Sequence, residues 1–360
     1  MSATPRVAVV GAGILGASIG YHLAQAGARV TIVDEADAVT AATAASFAWI
    51  NASYGNPQPY YGFRVQAMAE WRMLDEALDH ELPLRWGGSI EWLDSPDELR
   101  AKVAAHAAWG YPLRLIGRDE VTALEPAIAE PPEEAAYAAL EGVVSSVGAT
   151  LCLLEAAQAL GASLNRGEVA ELSLPDKGRS LRLKLAGQEI EVDQVVLAAG
   201  EACGPILDGL GVVLPMANSP GLLVHTKPVA PLLHRVVLSP NAHVKQDVDG
   251  RFVIGETFGG GPVPNDHEAE AAKLLGRIKA RIRGTEDLEV ERITVGMRPI
   301  PRDGLPIIGA VPGTESLHLA VMHSGITLAP LVGRLLAAEV LGRGPIEILE
   351  PYRLSRFADG

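Results

Sequence analysis

Four residues near the start of the 360-residue chain have the types and spacing to hold a nucleotide: Gly11, Gly13, Gly16 and, further on, Asp34. In Gly11-Ala-Gly13-Ile-Leu-Gly16 the first glycine permits a tight turn, the second lets backbone approach a pyrophosphate, and the third lets a helix pack closely on a strand. A helix beginning near Ile14 and Leu15 would turn its free N–H groups and positive end towards the phosphates. Asp34 is placed to accept hydrogen bonds from ribose hydroxyls. The chemistry indicated is dinucleotide binding, and these residues alone fit either a flavin or a nicotinamide cofactor.

The elements that must position these residues are legible around them. Arg6-Val-Ala-Val-Val10 reads as an apolar strand, the run to Gly27 as a helix, and Arg29-Val-Thr-Ile-Val33 as a second strand, so the whole is a βαβ unit. Next comes a stretch of small residues, Ala41 to Gly55, in which Ala45 and Ser46 could let backbone lie close to a diphosphate or ring system; a packed loop is the other reading. Val65, Met68, Trp71, Leu74 and Leu78 recur at helical spacing and predict an amphipathic helix over 63–78. Residues 81–141 change character and read as an insertion away from the nucleotide unit. A helix is expected near 150–160, then a hairpin whose arms, 167–174 and 181–185, flank a turn at 175–178. Asp193 to Gly200 reads as a buried parallel strand ending in glycine, where its C-terminal edge would meet a ligand. Residues 215–297 are β-like apart from a charged helix over 268–283. Towards the C-terminus, a strand at Leu317–Val321 leads through His323-Ser-Gly325 into a helix, a second free N-terminus able to face developing negative charge.

Composition narrows the class. With 48% hydrophobic and 21% charged residues the chain can bury a sizeable core and is not of disordered type. Its 30 basic and 44 acidic residues give a formal charge of −14, which argues against a nucleic-acid surface. Cys152 and Cys203 have neither metal-ligand nor redox spacing and read as buried small hydrophobes. No metal-ligand cluster, Ser/His/Asp or Cys/His arrangement, or pair of carboxylates stands out. The N-terminus carries no secretory-signal pattern and no apolar run is long enough to span a membrane, so a cytoplasmic protein is expected.

With both ends read, the chain resembles the flavin-dependent D-amino-acid oxidase, glycine oxidase and sarcosine oxidase family. The matching residues are Gly11 to Gly16 with Asp34, Ala198-Ala-Gly200, Met297-Arg298-Pro299 followed by Asp303-Gly-Leu-Pro306 and Gly309, Ser324-Gly-Ile-Thr-Leu-Ala-Pro330, and the closing Pro351 to Phe357. The resemblance implies an α/β chain with an α+β second domain: a Rossmann-like FAD-binding domain from 1–80, 142–214 and 299–358, and a discontinuous antiparallel-sheet substrate domain from 81–141 and 215–298. It further implies that Val169 meets the adenine through its backbone, that Gly200 lies near the diphosphate, and that Gly325, Ile326, Thr327 and Leu328 contact the flavin.

The resemblance also assigns the substrate side. Arg298 matches the arginine that binds the substrate carboxylate in the glycine oxidase branch, a task suited to a guanidinium. His243 falls where that branch has a tyrosine, and His323, His225 and Lys245 are further candidate polar groups. Val253 takes the place of a lysine that sarcosine oxidases carry over the flavin, and no tethering cysteine is evident between Arg298 and Gly325. The expectation is an enzyme with noncovalent FAD that oxidises the C–N bond of a small amino acid or amine. Hydride would pass to flavin N5, leaving an imine that hydrolyses, and electrons would go on to oxygen, a quinone or a partner protein. An FAD-binding subunit of a larger assembly and a nicotinamide-dependent dehydrogenase are the alternatives; homo- or hetero-oligomers are both open.

Overall fold

The computed structural model describes residues 4–37, 39–167, 171–173, 182–185, 187–256, 263–314 and 316–358. Val169 and the turn at 175–178 lie outside them.

The opening pattern folds as its periodicity requires. Arg6–Val10 and Arg29–Asp34 pair in parallel, with Ile14–Gln25 between them as the crossover helix. They sit inside a six-stranded sheet whose order is Ile307–Ala310, Leu317–Val321, Gln194–Leu197, Arg6–Val10, Arg29–Asp34 and Ser163–Arg166, parallel except for its first pair. Both faces are covered, which is why these strands read as unbroken apolar runs. Val7, Val9 and Val196 point towards helices Ile14–Gln25, Ser146–Ala159 and Gly325–Val340, with Gln58–Ala77 packed outside them. Ala8, Val10, Val195 and Leu197 point to the opposite face, onto Leu183 and Leu185 of a three-stranded antiparallel sheet, Glu171–Ser173, Arg182–Leu185 and Gln188–Glu191.

A second sheet of eight strands runs Val290–Met297, Pro220–Thr226, Phe252–Gly255, Ala242–Gln246, Val236–Ser239, Ser89–Glu91, Glu134–Ala138 and Leu113–Gly117. It is antiparallel except where Val236–Ser239 meets Ser89–Glu91, the seam between two segments distant in sequence. Helix His267–Arg281 buries Ala271, Leu274 and Ile278 against Val224, Val244 and Ile254 on one face of it.

Residues 81–141 are less detached than their composition suggested. Leu84–Arg85 pairs with Gly142–Val144, which also pairs with Trp49–Ile50, and Leu99, Tyr111 and Leu113 join the core that holds the first helix. Cys203 is buried as expected, whereas Cys152 is only half-buried on its helix. Among the described residues no helix is long and apolar enough to cross a membrane, and no group of three or more His, Cys, Asp or Glu side chains could hold a metal ion.

Candidate active site

The glycine turn is built as a close-packed corner. Gly11 has φ +104°, and a β-carbon there would stand 2.5 Å from the Ala198 carbonyl oxygen. One on Gly16 would collide with the Gly11 carbonyl, so this residue sets how closely the helix crosses the strand. Asp34 is held across the turn by its carboxylate, which accepts the Ala12 N–H at 2.6 Å and the Ala36 N–H at 2.9 Å. At the start of the helix the Ile14 N–H donates to the Thr43 hydroxyl at 3.2 Å, and space above Gly13 runs out only at that hydroxyl.

From Asp34 a single cavity of about 910 Å³ extends past Gly11 to Leu15 and Ala198 to Gly200, along Ala45 to Trp49, and reaches Gly325 to Thr327. There the helix Gly325–Val340 begins at Ser324, which takes φ +62°. Its first internal bond is from the Leu328 N–H to the Ser324 carbonyl, so the three amides before it are left for a ligand or for water. This end is locked from behind. The Thr327 hydroxyl donates to the Trp49 carbonyl at 3.1 Å and accepts the Asn51 N–H at 3.3 Å, while Trp71 Nε1 donates to the Ile326 carbonyl at 3.0 Å.

Beyond that helix end the cavity is lined by Tyr54, Arg64, Gly221, Leu223, His243, Gly255, Arg298 and His323. Strand Ala242–Gln246 delivers His243; the residues following Val290–Met297 deliver Arg298, whose Nη1 donates to the Pro220 carbonyl at 3.1 Å. Burial and the charge of Lys102 pull the His243 imidazole down to about 4. Burial, Arg64 and Arg298 do the same to His323, also to about 4, and its Nδ1 lies 3.1 Å from the Ser324 hydroxyl. Both rings are therefore neutral at pH 7 and can accept a hydrogen bond from an amine. Tyr54 is pushed above the ordinary tyrosine range by burial and by Glu91. The result is a chamber with cationic and neutral polar groups, suited to holding a small carboxylate-bearing amine.

Of the residues singled out from sequence, Gly11, Gly13, Ile14, Leu15, Asp34, Ala45, Ser46, Gly200, Gly325, Ile326 and Thr327 line this cavity, as do Arg298, His243 and His323. Gly16 and Leu328 stand behind its wall. Val253 packs in an apolar cluster with Leu223 and Phe47. Lys245 is fully buried and pairs with Asp247 at 3.0 Å, and His225 accepts or donates at Thr294; neither lines the cavity. Neither cysteine lines it either.

The sequence reading missed Asn51, Tyr54, Arg64 and Glu141. Arg64 had a signal: it shares the helical stripe of Tyr60, Ala67, Met68 and Trp71, where a charge is out of place. Glu141 had none, being a lone acid in a turn. It is fully buried, and its carboxylate accepts the Ala52 and Ser53 N–H groups at 3.0 and 2.8 Å, the Tyr111 hydroxyl at 3.0 Å and the Ser89 hydroxyl at 2.7 Å.

Comparison with known proteins gives the family and the fold. The profile of the FAD dependent oxidoreductase family, DAO, matches residues 6–339. A glycine oxidase of Pseudomonas aeruginosa is 32% identical over 96% of this chain and 98% of its own length. Two solved structures superpose over nearly the whole chain. Glycine oxidase from Geobacillus kaustophilus has a TM-score of 0.87 at 27% identity, covering 98% of this chain and 99% of that one. Iminodiacetate oxidase from Chelativorans sp. BNC1 has a TM-score of 0.84 at 27% identity, covering 97% and 98%.

Proposed function

The chain belongs to the DAO family of FAD-dependent oxidoreductases and acts on amino acids or amines, and we propose that its substrate is a small amino acid or N-substituted amino acid bound through a carboxylate to Arg298. FAD fits the cavity: Asp34 suits the ribose, the Gly11 to Leu15 corner the diphosphate, and the free amides at Gly325 to Thr327 the N1–C2=O edge of the ring, which takes up negative charge on reduction. When bound, FAD supplies the two-electron acceptor for cleavage of the substrate C–H bond. With both cysteines outside the cavity wall, noncovalent binding is the reading carried forward. So is the division into an FAD-binding domain, 1–80, 142–214 and 299–358, and a substrate domain, 81–141 and 215–298.

The single observation that carries the substrate reading is the seat of Arg298. It lines the cavity together with His243 and His323, and its guanidinium is anchored by the Pro220 carbonyl. An α-amino acid docked there presents its nitrogen to neutral imidazoles, which favour the uncharged amine that must react. No strong base is needed. Positioning and the positive surroundings carry the rate.

For the electron acceptor, Val253 favours a dehydrogenase that passes electrons to a quinone or partner protein over an oxidase that uses oxygen. The buried valine provides no cation where sarcosine oxidases have a lysine.

The test is the visible spectrum of the purified protein followed anaerobically while D-, L- and N-alkyl amino acids are added. Bleaching of flavin bands by one class supports the reading; flavin bands that no amino acid bleaches overturn it. Admitting oxygen then separates the acceptors, since reoxidation within the turnover time sinks the dehydrogenase reading.

A further inference from the structure

We propose that the substrate carries two carboxylates, one on Arg298 and the other on Arg64, so that the preferred substrates are N-carboxyalkyl amino acids. This rests on the amine-oxidation reading above and adds a second anchor to it.

Arg64 is 2% exposed and lines the cavity. A buried guanidinium is normally matched by a carboxylate, because leaving its charge uncompensated in a low-dielectric interior is costly. Arg64 has no such match among the described residues. Nε donates to the Asn51 carbonyl at 3.0 Å, Nη2 donates to the Asn51 side-chain oxygen at 2.7 Å, and the group lies 5.6 Å from the centre of the Tyr60 ring. These contacts fix the plane of the fork and leave N–H donors over for an anion. The cation is thus held rigidly by neutral groups on the wall of a ligand cavity in a chain of net charge −14.

The two arginines serve one chamber. His323 stands within electrostatic reach of both, and the positive charge of each lowers its proton affinity. A single-carboxylate substrate on Arg298 would leave the Arg64 charge facing an apolar or neutral group. A dicarboxylic secondary amine would satisfy both, with its nitrogen between them beside neutral His323. The likeness to iminodiacetate oxidase agrees with this.

The cleanest test compares iminodiacetate with sarcosine, two secondary amines that differ by one carboxylate, in anaerobic reduction of the FAD-loaded protein. The expected result is a kcat/KM for iminodiacetate at least about 10-fold higher than for sarcosine, and a collapse of that ratio by about 10- to 100-fold in Arg64→Met, the scale for one charge-assisted contact. FAD content and melting temperature report whether the variant is intact. A wild-type protein that prefers sarcosine, or a variant that loses both substrates equally, overturns the proposal. If Arg64→Met does not retain FAD, flavin difference spectra of the wild type titrated with glutarate and butyrate decide. Tighter glutarate supports the second anchor; equal affinity removes it. Reduction by sarcosine without preference for iminodiacetate defeats the Arg64 inference alone, whereas reduction by no amino acid defeats the broader reading, leaving the glutarate comparison to judge Arg64.

Discussion

The guanidinium of Arg298 lies against the bare α-carbon of Gly221, so closely that a β-carbon at 221 would be 2.6 Å from Arg298 Cζ. The strand Pro220–Thr226 therefore sets the height of the cation over the cavity through a missing methyl group. Gly221→Ala should displace Arg298 and reduce kcat/KM for amino acids by about 10- to 100-fold, while uncharged amines lose far less. Arg298→Ala should show the same selectivity, more strongly. Steady-state kinetics with an amino acid and its decarboxylated amine checks both, and equal losses for the two substrates would remove Arg298 from carboxylate binding.

The glycines of the first turn should fail in different ways. A side chain at Gly16 meets the Gly11 carbonyl, a backbone atom that cannot move without separating helix from strand, so Gly16→Ala should abolish soluble folded protein. At Gly13 a β-carbon would meet only the Thr43 hydroxyl, at 2.9 Å, which can rotate away. Gly13→Val should accordingly fold, with native far-ultraviolet circular dichroism, but lack the yellow colour of flavin. A yellow Gly13→Val protein would move the diphosphate elsewhere.

Three imidazoles make the fold sensitive to acid. Burial holds His225, His243 and His323 down to about 4, against an ordinary value of 6.5. A group whose folded-state pKa is depressed in this way takes up its proton more readily when the chain unfolds. Stability is therefore complete above pH 6.5 and is lost as pH falls from 6.5 towards 4, at about 1.4 kcal/mol per pH unit for each imidazole at most. His225 lies outside the cavity and isolates the effect. In denaturant titrations of the FAD-loaded protein, His225→Gln should have a shallower decline between pH 6.5 and 4 than the wild type; parallel curves would show that this histidine is not held neutral.

How much of this could be read from the chain follows from how local each signal is. The turn from Val10 to Asp34 is a run of neighbours, each with one physical reason to be there, and the strands flanking it are unbroken apolar runs because both faces of their sheet are buried. Arg298 was legible through the order of motifs near the C-terminus. Arg64 lies within an amphipathic helix and shares its apolar stripe, but a stripe of apolar residues alone does not show that a ligand cavity opens beside one of its turns. Tyr54 sits among small residues and polar turns, and nothing in that stretch shows that residues 243 and 298 will arrive opposite. The eight-stranded sheet was legible only in part, as a β-like stretch over 215–297; its strands Leu113–Gly117 and Glu134–Ala138 and its order were not, because the pairing of Val236–Ser239 with Ser89–Glu91 joins segments with no pattern in common.

Glu141 shows what such long-range assembly achieves. One carboxylate ties the Ala52 and Ser53 amides, which lie between Asn51 and Tyr54 on the cavity wall, to Ser89 at the start of a strand in the second sheet and to Tyr111. Replacing it with alanine strands two buried N–H groups, each costing about 1–3 kcal/mol. Glu141→Ala should thus lose about 2–5 kcal/mol of stability, and, by loosening Asn51 and Tyr54, raise KM more than it lowers kcat. Glutamine can keep its carbonyl oxygen on the two amides and turn its NH2 to the Ser89 hydroxyl, so Glu141→Gln should keep most of the stability. Denaturant midpoints and KM for the two variants decide the point: an alanine variant as stable as the wild type would mean that the wall is braced by its contacts with Thr327 and Arg64 alone.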